Sequence, residues 1–392
     1  MQDYDRLKRE IIARGDLTLT EAEKAVLEQA PETDASIWGI LGAHAFNTGD
    51  HDRAIEITRR IYHAQPTNET ASNLVSALSR ANRVDEAIMV AEAPDSPLQA
   101  VLQASYLSEL YGRMGAMDKN RHWSRRALEL KDAEARHLLR RPAPRTAPFD
   151  MTRPERNVIA YSLWGANPRY VEGATRNCIV ARHLYPGWTP RFYVDDSVPI
   201  SARRDLTREG AQLRQVPSMP ANRFGLFWRF LAEDDPEVAL YLVRDADSVP
   251  SIKEAVAVGD WLASGQPFHV MRDFVTHSEI VLAGMWGAHR GNIPHMGKRI
   301  MAFAKDREKI LNSRVDDQLF LRREVWPWMR GRAFVQDSWF GYGETAPFDP
   351  RFALPGRMHI GQDDHASRRT QARIRQARAA GIDLREGEPP KT

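Results

Sequence analysis

Cysteine is almost missing from this 392-residue chain, and the single one, Cys178, permits no internal disulfide. Lysine is scarce: nine of the 55 basic residues are Lys and 46 are Arg. No apolar run approaches the ~18–20 residues that a membrane-spanning helix needs. The opening residues MQDYDRLKRE are charged where a secretory signal would be apolar, so the expectation is a soluble, cytoplasmic protein with no transmembrane segment. Missing too are a Gly-x-x-x-x-Gly-Lys phosphate loop, a Gly-x-Ser-x-Gly elbow and a Gly-x-Gly-x-x-Gly turn after a strand. ATPase, esterase and dehydrogenase readings lose support together. A net charge of +3 gives no overall basic field, so no nucleic-acid partner is expected.

What is present is an ordinary globular balance of 42% hydrophobic, 27% charged and 9% aromatic residues, which excludes wholesale disorder, collagen and coiled-coil rod. At ~100–200 residues per domain the length predicts two or three domains. The arginine excess fits either phosphate and carboxylate forks or codon composition.

Helical periodicity dominates the first third. Trp38, Leu41, Gly42 and Ala45, then Ala54 and Ile61, recur at three- and four-residue steps around the turn TGDHD. The segment ALSRANRVDEA (77–87) mirrors AHAFNTGDHDRA (43–54), and Gly115-x-x-Asp118 repeats Gly49-x-x-Asp52. A period near 33 with small residues where helices meet resembles the tetratricopeptide repeat, which is about 34 residues long. Residues 1–140 are therefore expected to form an all-α, tetratricopeptide-like solenoid, with 35–135 as its repeats and residues 2–30 as one cap. Such repeats serve either as a spacer or as a docking groove for a protein partner. Pro142, Pro144, Pro148 and Pro154 interrupt the pattern and predict a linker over 141–155.

From 156 to 365 strand and helix signals alternate: NVIAYSL (157–163), a helix over 169–185, TPRFYVD (189–195), a helix over ISARRDLTREG, QLRQV (212–216) and VALYLV (238–243). The alternation predicts a parallel sheet. VALYLV runs into Arg244-Asp245-Ala246-Asp247. Residues i and i+2 of extended chain share a face, so both carboxylates can address one hard cation at a strand's carboxyl end, where α/β sheets bind ligands. Asp3-Tyr-Asp5 and Asp50-His-Asp52 have the same spacing but lie at a terminus and in a repeat turn.

Together YSLWG (161–165), YPGWTPRFYVD (185–195), LFWRF (226–230), YLVRDADS (241–248), MRDFVTH (271–277), LAGMWG (282–287) and DDQLFL (316–321) resemble bacterial glycosyltransferases of the GT-A type over about 156–363. The resemblance implies an α/β nucleotide-diphospho-sugar transferase domain, a nucleotide-sugar donor, Mn²⁺ or Mg²⁺ at the Asp-x-Asp motif, and a glycan or protein acceptor. It implies Ser162, Trp164 and Gly165 near the nucleotide, and Asp245 and Asp247 at the ribose, metal and diphosphate. Arg229 and Arg244 suit phosphates, though structural pairing with carboxylates is an equal reading. Trp286, beside Gly284 and Gly287, is read as a sugar platform or as core. Asp317 is the first candidate for the base that takes the acceptor proton, with helix capping as its competing role, and Asp273 is the second. His359 is read either as a further metal ligand or as a structural histidine, whereas His269, His277, His289 and His295 lack zinc-site spacing. The alternative reading is a repeat-based binding scaffold with an inactive transferase-like domain. The arginine-rich tail 366–392 reads as a solvated terminus.

Overall fold

The computed structural model describes residues 3–14, 17–31, 33–138, 140, 143–216, 219, 224–306, 316–356, 358–365, 368, 372 and 376. Most of the basic tail lies outside the described residues. Two compact units divide at Leu130/Lys131.

The first unit is helical. After α1 (Asp3–Arg14) and α2 (Glu21–Leu27) come three helix pairs: α3 (Ala35–Thr48) with α4 (His51–Ala64), α5 (Asn68–Arg80) with α6 (Val84–Glu92), and α7 (Ala100–Met114) with α8 (Met117–Ala135). Each pair turns at one residue with left-handed backbone, at Gly49 (φ 87°), Asn82 (φ 61°) and Gly115 (φ 78°). Positions 49, 82 and 115 step by 33, so the repeat is a property of the backbone as well as of the sequence. Asn is the one non-glycine residue of the three, and its short polar side chain visits this region at modest cost. Helices α3 and α4 approach closely at Gly42, where a Cβ would lie 3.1 Å from the Ile57 side chain. Ile11, Leu19 and Leu27 join Ile37, Trp38, Leu41 and Ile57 in one apolar cluster, so α1 and α2 cover the open face of the first pair.

The second unit begins inside the last turns of α8. Lys131 Nζ bonds Glu279 Oε1 (2.6 Å) and the Ser278 carbonyl (2.8 Å). Asp132 accepts from Trp326 Nε1 (2.8 Å), Arg330 Nε (2.7 Å) and Tyr342 Oη (3.0 Å). These buried polar bonds explain why the division precedes the residue at which helical periodicity ends. The Pro-rich stretch is held to the sheet unit: Arg145 N–H donates to Asn292 Oδ1, Ala147 N–H to His289 Nδ1, and Phe149 stacks on Trp188.

Seven strands form one sheet in the order β3-β2-β1-β4-β6-β5-β7. They are β1 (Asn157–Leu163), β2 (Thr189–Val194), β3 (Gln212–Gln215), β4 (Leu240–Val243), β5 (Phe268–Arg272), β6 (Trp286–His289) and β7 (Ala333–Asp337). Helix α9 (Pro168–Leu184) joins β1 to β2, α10 (Ile200–Arg208) joins β2 to β3, and α11 (Ile252–Ser264) joins β4 to β5. The sheet is mixed where a parallel one was expected, because β6 runs antiparallel to both β4 and β5. The 273–285 connection carries no helix, and without a crossover element the chain returns antiparallel. All seven residues of β1 are buried, as its near-continuous apolar sequence requires of a central parallel strand. Ile159, Tyr161, Phe192, Leu242 and Trp261 share its core.

Candidate active site

Strand β1 pairs with β2 on one side and with β4 on the other, so the chain order reverses between β1 and β4. Ligands of open α/β sheets bind beyond the strand carboxyl ends at such a reversal. A cavity of about 580 Å³ opens there. Ser162 and Trp164 from the end of β1, Arg229, Asp245, Asp247 and Asp317 all line it. Six residues singled out in the sequence thus meet across four chain segments.

Both carboxylates line the cavity, but Ala246 and Asp247 stand in a turn closed by the Ser248 N–H on the Asp245 carbonyl (3.2 Å) where extended chain was expected, and the backbone between them is gripped from behind. Asn177 of α9 donates its Nδ2 to the Ala246 carbonyl (3.0 Å), and a Cβ on Gly173 would collide with that same oxygen. Across the cavity, a Cβ on Gly284 would collide with Asp245 Oδ2. Gly284 is therefore glycine for space, at a position where its backbone makes no unusual demand.

Arg229 sits in the 3₁₀ segment Gly225–Glu233, which packs on β1. Its backbone N–H donates to Ser162 Oγ (3.0 Å), and its buried guanidinium bridges two acids, bonding Asp245 Oδ1 through Nη1 and Asp317 Oδ2 through Nη2 (2.9 Å). Asp317 stands in the short helix α12 (Asp316–Phe320), and its Oδ1 also accepts the Gln318 N–H (2.9 Å). Burial raises the Asp317 carboxyl to about 6; the Arg229 cation pulls against this shift and the nearby Asp245 adds to it. Asp247 is likewise raised, first by burial and then by Asp245, with Arg169 opposing.

Sequence reasoning missed the α9 contribution. Arg169 Nε and Nη2 bond Asp247 Oδ2 (2.7 and 2.5 Å), and Nη2 also lies 3.0 Å from Asp363 Oδ2. Arg176 pairs with Asp364, whose N–H donates to the Asp247 carbonyl (2.9 Å). Residues 169, 173, 176 and 177 lie at helical steps on one face, a signal visible in NPRYVEGATRN only once the helix is known to face β4.

Five expected site residues fall elsewhere. Arg244 does not line the cavity and pairs with Glu254 (3.1 Å) in the core. Trp286 opens β6 fully buried against Phe230 and Tyr241, so it is core and no sugar platform. Asp273 does not line the cavity; its Oδ2 pairs with Lys253 Nζ (2.8 Å), and although burial would raise its carboxyl, His277 and Lys253 hold it low. His359 stacks flat on Phe274 (4.0 Å between ring centres), while Gly361 and Asp363 of its loop line the cavity. Gly165 is a turn residue at φ 68° whose N–H donates to Ser197 Oγ (2.7 Å). Cys178 is buried, and burial pushes its thiol up to about 12.

Among the described residues no group of three or more His, Cys, Asp or Glu could hold a metal by itself. Asp245 and Asp247 nevertheless suit a cation that arrives with phosphates, since Mg²⁺ is commonly bound through one or two carboxylates plus substrate oxygens and water. Asp245 Oδ1 and Asp247 Oδ2 carry the arginine bonds, and no described side chain bonds the other oxygen of either residue. Five aspartates against two arginines line the cavity, an acidic excess that a dianionic ligand meets favourably only with a cation.

Among the described residues no helix is long and apolar enough to cross a membrane. No protein-family model matches the chain, and no curated protein matches its sequence. Among solved structures it is similar to a mutant O-GlcNAc transferase of Thermobaculum terrenum, at 14% identity and a TM-score of 0.41, over 99% of this chain and 88% of that one. An overlap this loose transfers neither residue roles nor fold.

Proposed function

We propose that this chain is a metal-dependent glycosyltransferase of the GT-A type, moving a sugar from a nucleotide-sugar donor to a glycan or protein acceptor, with the helical repeats docking the acceptor or a partner. The observation that carries the reading is the cavity at the β1/β4 reversal, where Asp245 and Asp247 each keep one carboxylate oxygen unbonded by described side chains, beside Arg229 and Arg169. The resemblance of the motifs over 156–363 supports the same conclusion, and one sheet with one reversal suits a single nucleotide-binding domain.

On this reading Trp164 and the end of β1 border the nucleotide. Asp245 and Asp247 would hold Mn²⁺ or Mg²⁺, which would supply neutralisation of the leaving diphosphate. Arg229 holds Asp245 and Asp317 at a fixed separation, because one rigid guanidinium fork spans both. Asp317 takes the proton from the acceptor hydroxyl as its oxygen bonds the anomeric carbon and the nucleoside diphosphate departs. A carboxyl raised to about 6 is ionised at neutral pH and is a stronger base than an ordinary aspartate.

Calorimetry with UDP, GDP, ADP and CDP, each with and without Mn²⁺, tests the assignment. At least one nucleotide should bind more tightly with Mn²⁺, and Asp247→Asn should abolish that enhancement while the fold persists. Unchanged metal enhancement in Asp247→Asn removes the Asp-x-Asp assignment. Failure of all four nucleotides favours the binding scaffold, in which the repeats are the working part.

A further inference from the structure

Arg169 is the second residue of α9, where a cation opposes the helix dipole, so helix stability does not account for it. Its guanidinium is about one-third exposed and meets Asp247 and Asp363; among the described residues it pairs with no other carboxylate. Among the described residues its guanidinium is held by those two carboxylates and the face of Tyr170, 5.2 Å away. By contrast Arg229, on the other side of Asp245, is buried and held by the Arg244 carbonyl and Asp317 as well as by Asp245.

The two arginines of the cavity therefore differ in kind: one is built into the core, and the other is a partly exposed charge resting on a candidate metal ligand. We propose that Arg169 is a placeholder cation, which neutralises Asp247 and Asp363 in the metal-free protein and transfers to the diphosphate of the donor when the divalent ion takes Asp247. The inference rests on the proposed nucleotide-sugar site and deepens it. A guanidinium and a divalent cation on the same carboxylate repel, and Arg169, which lacks the buried partners that hold Arg229, is the one of the two that yields. The displaced fork stays tethered at the N-terminus of a 17-residue helix beside the cavity, and a phosphate is the ligand that such a fork and helix end favour together. The exchange makes metal without nucleotide a weak ligand and metal with nucleotide a strong one, because the diphosphate supplies the partner that Arg169 loses.

The test compares wild type with Arg169→Gln by calorimetry, first with Mn²⁺ alone and then with the same four nucleoside diphosphates at saturating Mn²⁺. Removing the competing charge should tighten Mn²⁺ alone by about fivefold, the scale of a partly exposed ion pair. The best nucleotide should weaken by about tenfold, the scale of a lost charge-assisted bond. Arg169→Lys, which keeps the charge, should leave Mn²⁺ alone near its wild-type affinity, and thermal unfolding verifies that both variants fold. Arg176→Gln, which cuts the neighbouring bond to Asp364 and spares Asp247, should bind Mn²⁺ as wild type does. Mn²⁺ affinity that is unchanged or weaker in folded Arg169→Gln overturns the proposal, as does tighter Mn²⁺ with unchanged nucleotide binding. If wild type binds no nucleotide, the transferase reading falls, and with it the transfer to a diphosphate, while the Mn²⁺ comparison still decides whether Arg169 competes with a cation.

Discussion

The two units bury different things. Among the described residues of the helical unit the interior is mostly Ala, Leu, Ile and Val, with Trp38, Tyr111 and a few neutral polar groups, such as Ser108 hydrogen-bonded to Ser124 and Asn120 to the Ser108 carbonyl. The sheet unit buries whole charges: Arg191, Arg229, Arg244, Arg272, Glu233, Glu254, Asp317 and Asp337. A repeat satisfies its interior with neighbours of its own kind, so apolar surface suffices. Charges taken out of water must be paired, and they fix the positions of their partners. The difference predicts that single substitutions in the sheet unit have large, specific effects and those in the repeats small, local ones.

The largest effect belongs to Asp317. Asp317→Asn should leave nucleotide binding nearly intact and lower turnover by ~10²–10⁴-fold, the usual contribution of a general base. The reactive form is the carboxylate, so wild-type turnover should fall about tenfold per pH unit below about 6, and this limb should vanish in the variant. Turnover equal to wild type confines Asp317 to holding Arg229.

Next comes Arg244, read from the sequence either as a phosphate contact or as a structural pair. Arg244→Met leaves Glu254 charged and unpaired in the core, which should cost about 3–5 kcal/mol in urea unfolding. Adding Glu254→Gln should recover most of the loss, because Gln keeps the capping box with Ser251. If Arg244→Met weakens nucleotide binding without destabilising the fold, Arg244 returns to the site.

These residues also mark where the sequence was legible. The repeat period and the strands β1 to β4 could be read because each is a local periodicity, whereas β6 and β7 are short and went unread. Arg229 and Arg244 could not be told apart, since each adjoins an apolar run and only the sheet decides that one faces Asp317 and the other Glu254. Arg169 was invisible for a related reason: its meaning depends on Asp247, 78 positions away. Trp286 misled because glycines at 284 and 287 look like access for a sugar, whereas Gly284 makes room for Asp245 and Gly287 for the β4 backbone and Leu242.

The smallest effect lies in the repeat turns. At Gly49 and Gly115 a Cβ would meet nothing within 4 Å, so glycine is there only for its left-handed backbone. Asn82 fills the equivalent position with a side chain that also works: its Oδ1 accepts from Arg113 Nη2 (2.9 Å) of the next repeat. Asn82→Ala loses both the tolerance of positive φ and that bond, which should cost about 1–2 kcal/mol. Asn82→Gly loses the exposed bond but relieves the backbone, so its cost should stay within about 1 kcal/mol. Urea unfolding of the two variants measures the difference directly. Equal losses would assign the whole effect to the Arg113 bond, and the regular step of left-handed turns would then contribute nothing to the stability of the stack.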